Sequence, residues 1–156
     1  MHVFTLIRAK SEAEFAAARE LFLEYAAQLG VDLCFQGFAS ELDALASMYA
    51  DPGGALILAR TAGGYCGCVA IRALDSSDCA GDCEMKRLYV RDAARGSGLG
   101  RRLVEQALSA AQQMGYRRVR LDTLPQMAAA RGLYASLGFR EIPAYYENSR
   151  GQPTWR

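Results

Sequence analysis

The chain has 156 residues, of which 51% are apolar and 22% are charged, and its formal net charge at pH 7 is +1. This length can bury one sizeable core but is short for two ordinary domains, so we expect a single domain spanning residues 1–156. Because basic and acidic residues are interspersed, the composition excludes the broad charged surface that nucleic acids or anionic membranes bind.

The apolar pattern predicts neither a targeting segment nor a membrane span. The N-terminal stretch Met1–Arg8 lacks the long apolar core of a signal peptide. No later apolar run approaches the roughly 20 residues that cross a bilayer. We therefore expect a cytoplasmic protein that has neither a membrane nor a nucleic acid as a partner.

The cysteines do not follow the usual spacing of a zinc site. Cys66 and Cys68 are separated by one residue, Cys79 and Cys83 by three, and Cys34 lies far upstream. The usual pair of two-residue gaps is missing, and the number of cysteines is odd. We expect free thiols and no bound metal, with a pair between Cys79 and Cys83 only under oxidising conditions.

The first part of the chain predicts one strand and two helices. The strand covers Val3–Arg8, and the first helix runs from a capping box at Ser11 and Glu14 to about Leu29. Apolar residues at helical spacing then predict a second helix over Phe38–Ala50. Both helices precede the main part of the predicted sheet.

The rest of the chain alternates between strands and helices, beginning with a hairpin across two glycines. The predicted elements are strands over Ala55–Ala62, Tyr65–Leu74 and Cys83–Val90, a helix over Leu99–Met114, a strand over Arg117–Thr123, a helix over Gln126–Leu137 and a strand over Phe139–Glu147. A strand, helix, strand unit of this kind places its two strands parallel. The fold class is therefore α/β, with one parallel pair in a mostly antiparallel sheet flanked by helices.

A glycine-rich loop, Arg95-Gly96-Ser97-Gly98-Leu99-Gly100, joins a predicted strand to a predicted helix. Free backbone amides and the helix dipole favour an anion at such a helix N-terminus, and glycines let the backbone approach it closely. Arg95, Arg101 and Arg102 add charge that can reach phosphate oxygens. The loop predicts a phosphate site, and a flexible turn is the alternative interpretation.

Two other nucleotide-binding motifs fit this loop less well. A Walker A loop requires Lys followed by Ser or Thr, which do not follow Gly100. A dinucleotide fingerprint is a closer rival, because Asp122 lies about twenty residues further on, where a ribose-binding acid would stand. The strand before a dinucleotide loop is a continuous apolar run, whereas Met85–Val90 contains two basic residues. A nicotinamide-dependent oxidoreductase therefore remains only as an alternative.

Taken together, these residues resemble the GCN5-related N-acetyltransferase (GNAT) family. Its motif is Arg or Gln, two residues, Gly, one residue, and Gly or Ala, which Arg95-x-x-Gly98-x-Gly100 matches. The similarity includes Leu88-Tyr89-Val90 and Leu133–Phe139, and it covers at least Glu84–Phe139. The resemblance implies a GNAT-like single-domain fold whose parallel strands splay apart. It also implies transfer of an acetyl group from acetyl-coenzyme A (acetyl-CoA) to an amine.

The resemblance also implies where acetyl-CoA binds. The pyrophosphate would lie on the amides from Gly96 to Arg101, and the pantetheine arm would lie along Leu88–Val90. The arm would satisfy backbone groups that the splayed strands leave unpaired. The residues implied in cofactor binding are Leu88, Tyr89, Val90, Arg95, Gly96, Ser97, Gly98, Leu99, Gly100 and Arg101.

Acetylation of an alkyl amine requires removal of a proton, because an amine with a pKa near about 10.4 is almost wholly protonated at pH 7. Glu84, at the start of the cofactor strand, is the candidate general base, acting directly or through a water. Family members often carry an acid near this position. The competing interpretation is an exposed strand-end carboxylate that pairs with Lys86 or Arg87.

Tyr134 occupies the family's tyrosine position before Leu137-Gly138-Phe139 and is the candidate general acid for the leaving thiolate. A backbone amide near Leu88 would stabilise the oxyanion. The competing interpretation is that Tyr134 only packs at helical spacing with apolar neighbours. Many family members have Asn seven residues earlier, where this chain has Met127, so that cofactor contact is not carried over.

The acceptor is expected to be a primary amine of a small molecule. Protein or peptide acetylation is the alternative within the family, and a non-catalytic acyl-CoA binding module is the alternative outside enzymes. Four aromatic residues, Phe35, Phe38, Tyr145 and Tyr146, either line the acceptor site, where they would attract a cation, or pack in the core.

The C-terminal residues predict a short or missing final strand. The family usually ends with a seventh strand, whereas this sequence ends at Pro153–Arg156. A short strand leaves pairing groups open at the sheet edge. Both a monomer and a homodimer joined through this edge are therefore expected possibilities.

Overall fold

The computed structural model of the chain describes residues 3–30, 37–74, 81–122, 127–142 and 154–155. The strands are β1 (Thr5–Arg8), β2 (Ala55–Thr61), β3 (Gly64–Ala73), β4 (Asp82–Val90), β5 (Arg118–Asp122), β6 (Glu141–Ile142) and β7 (Thr154–Trp155). The helices are α1 (Glu12–Leu29), α2 (Phe38–Asp43), α3 (Leu45–Met48), α4 (Leu99–Gln113) and α5 (Ala128–Ser136), with a 3-10 turn at Asp92–Ala94.

The strands form a mixed sheet in the order β1-β2-β3-β4-β5-β7-β6. Strands β4 and β5 run parallel, and the other neighbouring strands run antiparallel. This arrangement confirms the α/β class and the single parallel pair. The final strand, β7, is present with two residues and lies between β5 and β6.

Helix α1 begins at the predicted capping box. The backbone N–H of Glu14 donates to Ser11 Oγ at 3.1 Å, and the backbone N–H of Ser11 donates to Glu14 Oε1 at 3.0 Å. At the other end Gly30 has a φ of +63°, the left-handed conformation that commonly ends a helix. Local sequence therefore sets both ends of this helix.

The single helix predicted over Phe38–Ala50 is wrong, because the structure has two short helices that meet at Ala44. Glu41 of α2 is buried against strand β4 by an ion pair, while Leu45 and Tyr49 enter the apolar core. The backbone leaves the helical conformation at Ala44, with φ −126° and ψ +20°. The apolar periodicity alone did not indicate this break.

Each face of the sheet is covered by a separate apolar layer. On one face, Leu103 and Val104 of α4 pack with Val69 and Ile71 of the sheet. On the other face, α1 contributes Phe22 and its apolar neighbours to a second cluster. Strand β4 contributes to both layers, so its C-terminal end is held between α1 on one side and α4 and α5 on the other.

No helix within the described ranges is long and apolar enough to cross a bilayer. The same ranges contain no group of three or more His, Cys, Asp or Glu side chains arranged to hold a metal ion. Cys66, Cys68 and Cys83 carry free thiols. The two remaining cysteines, Cys34 and Cys79, lie outside the described residues.

Gly54, directly before β2, lies where no side chain fits. A Cβ atom there would stand 2.9 Å from the carbonyl oxygens of Met48 and Ile71. These are backbone atoms that a rotamer change cannot move, so Gly54→Ala should lower the free energy of unfolding by about 1–3 kcal/mol. Urea denaturation measures this change.

Gly132→Ala is the matched control for that substitution. Gly132 lies in α5, and among the described residues no heavy atom apart from its chain neighbours and the nearby helix backbone lies within 4 Å of the position its Cβ would occupy. Alanine should therefore stabilise by about 0.5–1 kcal/mol through its better helix propensity. Equal effects of the two substitutions would contradict the steric explanation.

Candidate active site

A cavity of about 460 Å³ lies between the end of β4 and the start of α4. The cavity is lined by β4 and the following loop (Leu88, Tyr89, Val90, Ala94, Arg95, Gly96, Gly98), by the start of α4 (Leu99, Gly100), by α1 (Tyr25, Gln28, Leu29) and by Met127 and α5 (Ala128, Ala129, Ala130, Leu133). Eight of the ten residues implied in cofactor binding meet here. The exceptions are Ser97 and Arg101.

Those two residues make other contacts. The hydroxyl of Ser97 donates to the carbonyl of Ala94. Arg101 donates to Ser136 Oγ at 2.7 Å. The structure thus places the loop backbone in the cavity wall, and it directs these two side chains to neighbouring segments.

A larger open depression of about 710 Å³ lies between the end of α4 and the start of β5, with Arg117, Arg118 and Arg140 among its lining residues. It contains none of the glycine-loop residues. We therefore regard the smaller cavity, which the sequence motif lines, as the candidate active site.

The glycine loop leaves the first turn of α4 open to a ligand. Gly96 and Gly98 have φ values of +77° and +83°, a region that residues with a side chain rarely adopt. Among the described residues, no side chain caps the start of α4. The free amides and the helix dipole therefore face the cavity end where an anion such as a phosphate would be stabilised.

Strands β4 and β5 pair over only a short length. Their parallel ladder joins Asp82, Cys83 and Glu84 to Arg118–Arg120. From Met85 onward β4 pairs with β3 alone in the described ladders. This divergence confirms the splayed parallel pair, and the cavity lies beside the splayed end of β4.

A bulge in β4 lies directly before the cavity. Cys68 of β3 stands opposite Tyr89, but Ala70 stands opposite Lys86, so β4 contains one extra residue between them. Arg87 has a φ of +60° there. A left-handed conformation costs a residue with a side chain on the order of 1–3 kcal/mol, and it persists only where surrounding contacts hold it. The sequence carried no signal that indicated this bulge.

Arg87 is held by a buried carboxylate. Its Nε donates to Glu41 Oε2 at 2.9 Å, and its Nη2 donates to Glu41 Oε1 at 2.8 Å. Both residues are buried, with 6% and 2% of their surface exposed. Burial opposes ionisation of Glu41, but the hydrogen bonds and charge of Arg87 lower its pKa below the usual value.

Two aromatic rings flank the same guanidinium. The Cζ atom of Arg87 lies 5.3 Å from the ring centre of Phe38 and 6.0 Å from that of Tyr25. Phe38 therefore contacts a cation of the protein itself, a role that the aromatic prediction did not foresee. Phe35, Tyr145 and Tyr146 lie outside the described residues.

Glu84 is buried, with 1% of its surface exposed, so the interpretation as an exposed carboxylate is wrong. Its Oε1 lies 3.4 Å from Arg72 Nε and 3.8 Å from Lys86 Nζ. Burial and the neighbouring Arg87 lower the pKa of Lys86, while Glu84 and Glu41 oppose that change. Glu84 does not line the cavity, so its role as a base remains a prediction.

Tyr134 of α5 is buried, and its ring meets that of Phe139 edge to face at 5.7 Å between centres. It follows Leu133, which lines the cavity. Burial, and to a smaller extent Tyr25, raise the pKa of its phenol, which therefore stays protonated at neutral pH. Within the described part of the chain its hydroxyl has no hydrogen-bond partner. Its role as an acid remains a prediction.

Helix α1 is tied to the cavity by a hydrogen-bonded network that sequence reasoning missed. Arg91 donates to both oxygens of Glu24, and the hydroxyl of Tyr89 also donates to Glu24. Gln28 donates to that hydroxyl and accepts from Arg95 at 2.6 Å. The polar positions of α1 are ordinary surface residues in the sequence, and only the packing of α1 against β4 makes them part of the site.

Similarity to known proteins identifies the chain as an acyltransferase. A family model described as "Acetyltransferase (GNAT) family" matches residues 16–139. The chain therefore belongs to the GNAT family, whose members use acetyl-CoA as a cosubstrate and an amine as acceptor.

Individual relatives agree with this assignment. An uncharacterised N-acetyltransferase of Schizosaccharomyces pombe is 40% identical over 129 residues, which are 82% of this chain and 77% of that protein. The uncharacterised N-acetyltransferase YjgM of Escherichia coli is 35% identical over 101 residues, 65% of this chain and 60% of that protein. A GNAT acetyltransferase structure from Staphylococcus aureus shares the fold, with a TM-score of 0.80, 18% identity and coverage of 98% and 97% of the two chains.

The Glu41–Arg87 pair should make stability depend on pH. An unfolded Glu41 titrates near 4.5, and its folded pKa is lower, so the stabilisation is complete above about pH 4.5 and is lost as pH falls. Urea unfolding should show that Glu41→Gln loses less stability than wild type between about pH 7 and about pH 3. At about pH 7 the variant should be less stable, by up to about 3–5 kcal/mol.

Asp43→Asn is the control on the same helix, because Asp43 is exposed. It should retain the wild-type dependence of stability on pH. If the curves for wild type and Glu41→Gln run parallel through the acidic range, the pair does not contribute as described.

Proposed function

We propose that the chain transfers an acetyl group from acetyl-CoA to a primary amine of a small molecule. The observation that carries this proposal is that the glycine loop, the open N-terminus of α4 and the splayed end of β4 surround one cavity. These three features supply what the cofactor needs: donors for a pyrophosphate and an extended backbone for the pantetheine arm.

Different parts of the glycine loop would bind different parts of the cofactor. The amides from Gly96 to Arg101 would hold the pyrophosphate, because positive φ values at Gly96 and Gly98 turn the backbone around the helix start. Arg95, which donates to Gln28 and to the carbonyl of Val90, would supply positive charge at the same end. The pantetheine arm would lie along Leu88–Val90.

In the proposed reaction, the neutral amine attacks the thioester carbonyl carbon, and the carbonyl electrons move to oxygen. An amide near Leu88 would stabilise that oxyanion. When the tetrahedral intermediate collapses, the carbon–sulfur bond breaks and Tyr134 would donate its proton to the thiolate. A buried, protonated phenol next to a cavity-lining residue supports this assignment.

Glu84 would accept the proton of the amine through water. Three residues lie between it and Leu88, so the two Cα atoms are at most on the order of 13 Å apart at about 3.3 Å per residue, a separation that favours a water relay over direct contact with an amine at the thioester. A chain of waters in the gap that opens between β4 and β5 after Glu84 would bridge this distance.

The packing of α2 over β4 favours a small acceptor. Phe38 and Glu41 of α2 pack directly over Arg87, so this face of the strand is already occupied by the protein's own side chains. A protein or peptide acceptor, and a non-catalytic acyl-CoA binding module, are the alternatives. Mass spectrometry after incubation with panels of small amines and of peptides separates them, since only a true acceptor gains the mass of one acetyl group.

Thermal unfolding tests the cofactor. Acetyl-CoA at about one hundred times its dissociation constant should stabilise the fold by about 2.7 kcal/mol, which raises the melting temperature by roughly 5–10 °C. NADPH and ATP, added separately, should leave it unchanged. A shift with NADPH and none with acetyl-CoA would favour the dinucleotide alternative and contradict the proposal.

Kinetics on an acceptor found by mass spectrometry test the two catalytic assignments. Tyr134→Phe should lower kcat by about 10²–10⁴-fold with little change in cofactor affinity, because only the proton donor is removed. Glu84→Gln should lower kcat most near neutral pH and less as the pH rises toward the pKa of the amine. A non-catalytic module predicts binding without turnover, and unchanged kcat in Tyr134→Phe would assign that residue to packing alone.

A further inference from the structure

We infer that Glu41 is a positioning residue: through its bidentate ion pair with Arg87, it holds the β4 bulge in the orientation that presents the Leu88 amide to the acetyl carbonyl. The inference rests on the proposed function and deepens it. It assigns a role to α2, a helix that contributes no residue to the lining of the cofactor cavity.

The backbone at the bulge receives little support from the sheet. On the β5 side, the ladder ends at Glu84. On the β3 side, the register shifts between Cys68 and Ala70, so regular pairing is interrupted at Arg87. The backbone orientation at Arg87 therefore depends on side-chain contacts more than it would in a regularly paired strand.

The Glu41 carboxylate restrains the direction of the Arg87 side chain. Two parallel hydrogen bonds of 2.9 and 2.8 Å join the planar guanidinium of Arg87 to the planar carboxylate, and this geometry restricts rotation as well as distance. The rings of Phe38 and Tyr25 limit lateral movement. Both charged groups are buried, so water does not compete for these bonds.

Covalent geometry connects this anchor to the cavity. The peptide joining Arg87 and Leu88 is planar, so the ψ angle of Arg87 sets the direction of the Leu88 N–H. Leu88 lines the cavity. Releasing Arg87 from its left-handed conformation at φ +60° therefore turns the amide that the proposed reaction uses for the oxyanion.

The test compares two ligands that differ only in the acetyl group. Calorimetric titration gives the dissociation constants of acetyl-CoA and of coenzyme A for wild type and Glu41→Gln. If the bulge presents a donor to the acetyl carbonyl, wild type prefers acetyl-CoA, and the substitution reduces that preference by about fivefold, the factor for one hydrogen bond. Affinity for coenzyme A should change little, because the pyrophosphate site is untouched.

A second variant covers the case in which Glu41→Gln, by removing the negative charge beside the buried Arg87, prevents folding. Glu41→Gln/Arg87→Gly removes both charges, and glycine adopts a positive φ without strain. This variant should fold and should also lose the preference for acetyl-CoA, since the ion pair no longer holds the bulge and the hydrogen bond from Cys68 Sγ to the carbonyl of residue 87, at 3.4 Å, is a weak one.

Asp82→Asn is the matched control. Like Glu41, Asp82 is a buried carboxylate paired with an arginine, in this case Arg120 at 2.7 Å. It is the first residue of β4, at the opposite end of the strand from the bulge. It should lose stability and keep the wild-type preference. The inference is overturned if wild type binds both ligands equally, or if either Glu41 variant keeps the wild-type preference. If wild type binds neither ligand, the proposed function itself fails.

Discussion

The early end of the β4–β5 ladder is the constraint on which the rest of the site depends. Parallel strands of one sheet normally satisfy their backbone groups along their common length, but here pairing stops at Glu84 and Arg120. Backbone groups in a protein interior require partners, so a splayed strand end needs either water or a ligand. The cavity beside Leu88–Val90 lies where an extended ligand can supply those partners.

Strand β4 concentrates charged residues in the interior next to the bulge. Glu84 and Arg87 are buried and Lys86 is partly buried, on a strand that also pairs with β3. Glu41 of α2 contacts both basic residues, at 2.8 Å for Arg87 and 3.8 Å for Lys86. A buried charge without a partner is costly, so each must be matched by a specific neighbour. Helix α2 is therefore held by this electrostatic pairing as well as by the apolar packing that also holds α3.

Prediction from the sequence succeeded where the structure is determined by residues close together in the chain or by a motif. The capping box at Ser11 and Glu14 bounds α1, and glycines with positive φ shape the loop before α4. It failed for Phe38–Ala50, where helical periodicity showed neither the break at Ala44 nor the pairing of Glu41 with a residue 46 positions further along the chain. The competing interpretation of Glu84 as an exposed carboxylate failed because the burial of a strand residue depends on which segments pack over it.

By itself, the sequence determined the α/β class, the parallel pair and the order of strands and helices apart from the region of α2 and α3, and it predicts a phosphate site at the glycine loop. Each of these follows from contacts between residues close in the chain or from backbone conformations that particular residues favour. Only the tertiary structure decided that α1 forms a wall of the cavity, that β4 bulges at Arg87 and that Glu41 pairs with Arg87 there. These features arise from pairing between distant segments, and residue types along one segment do not encode which distant partner will neutralise a buried charge.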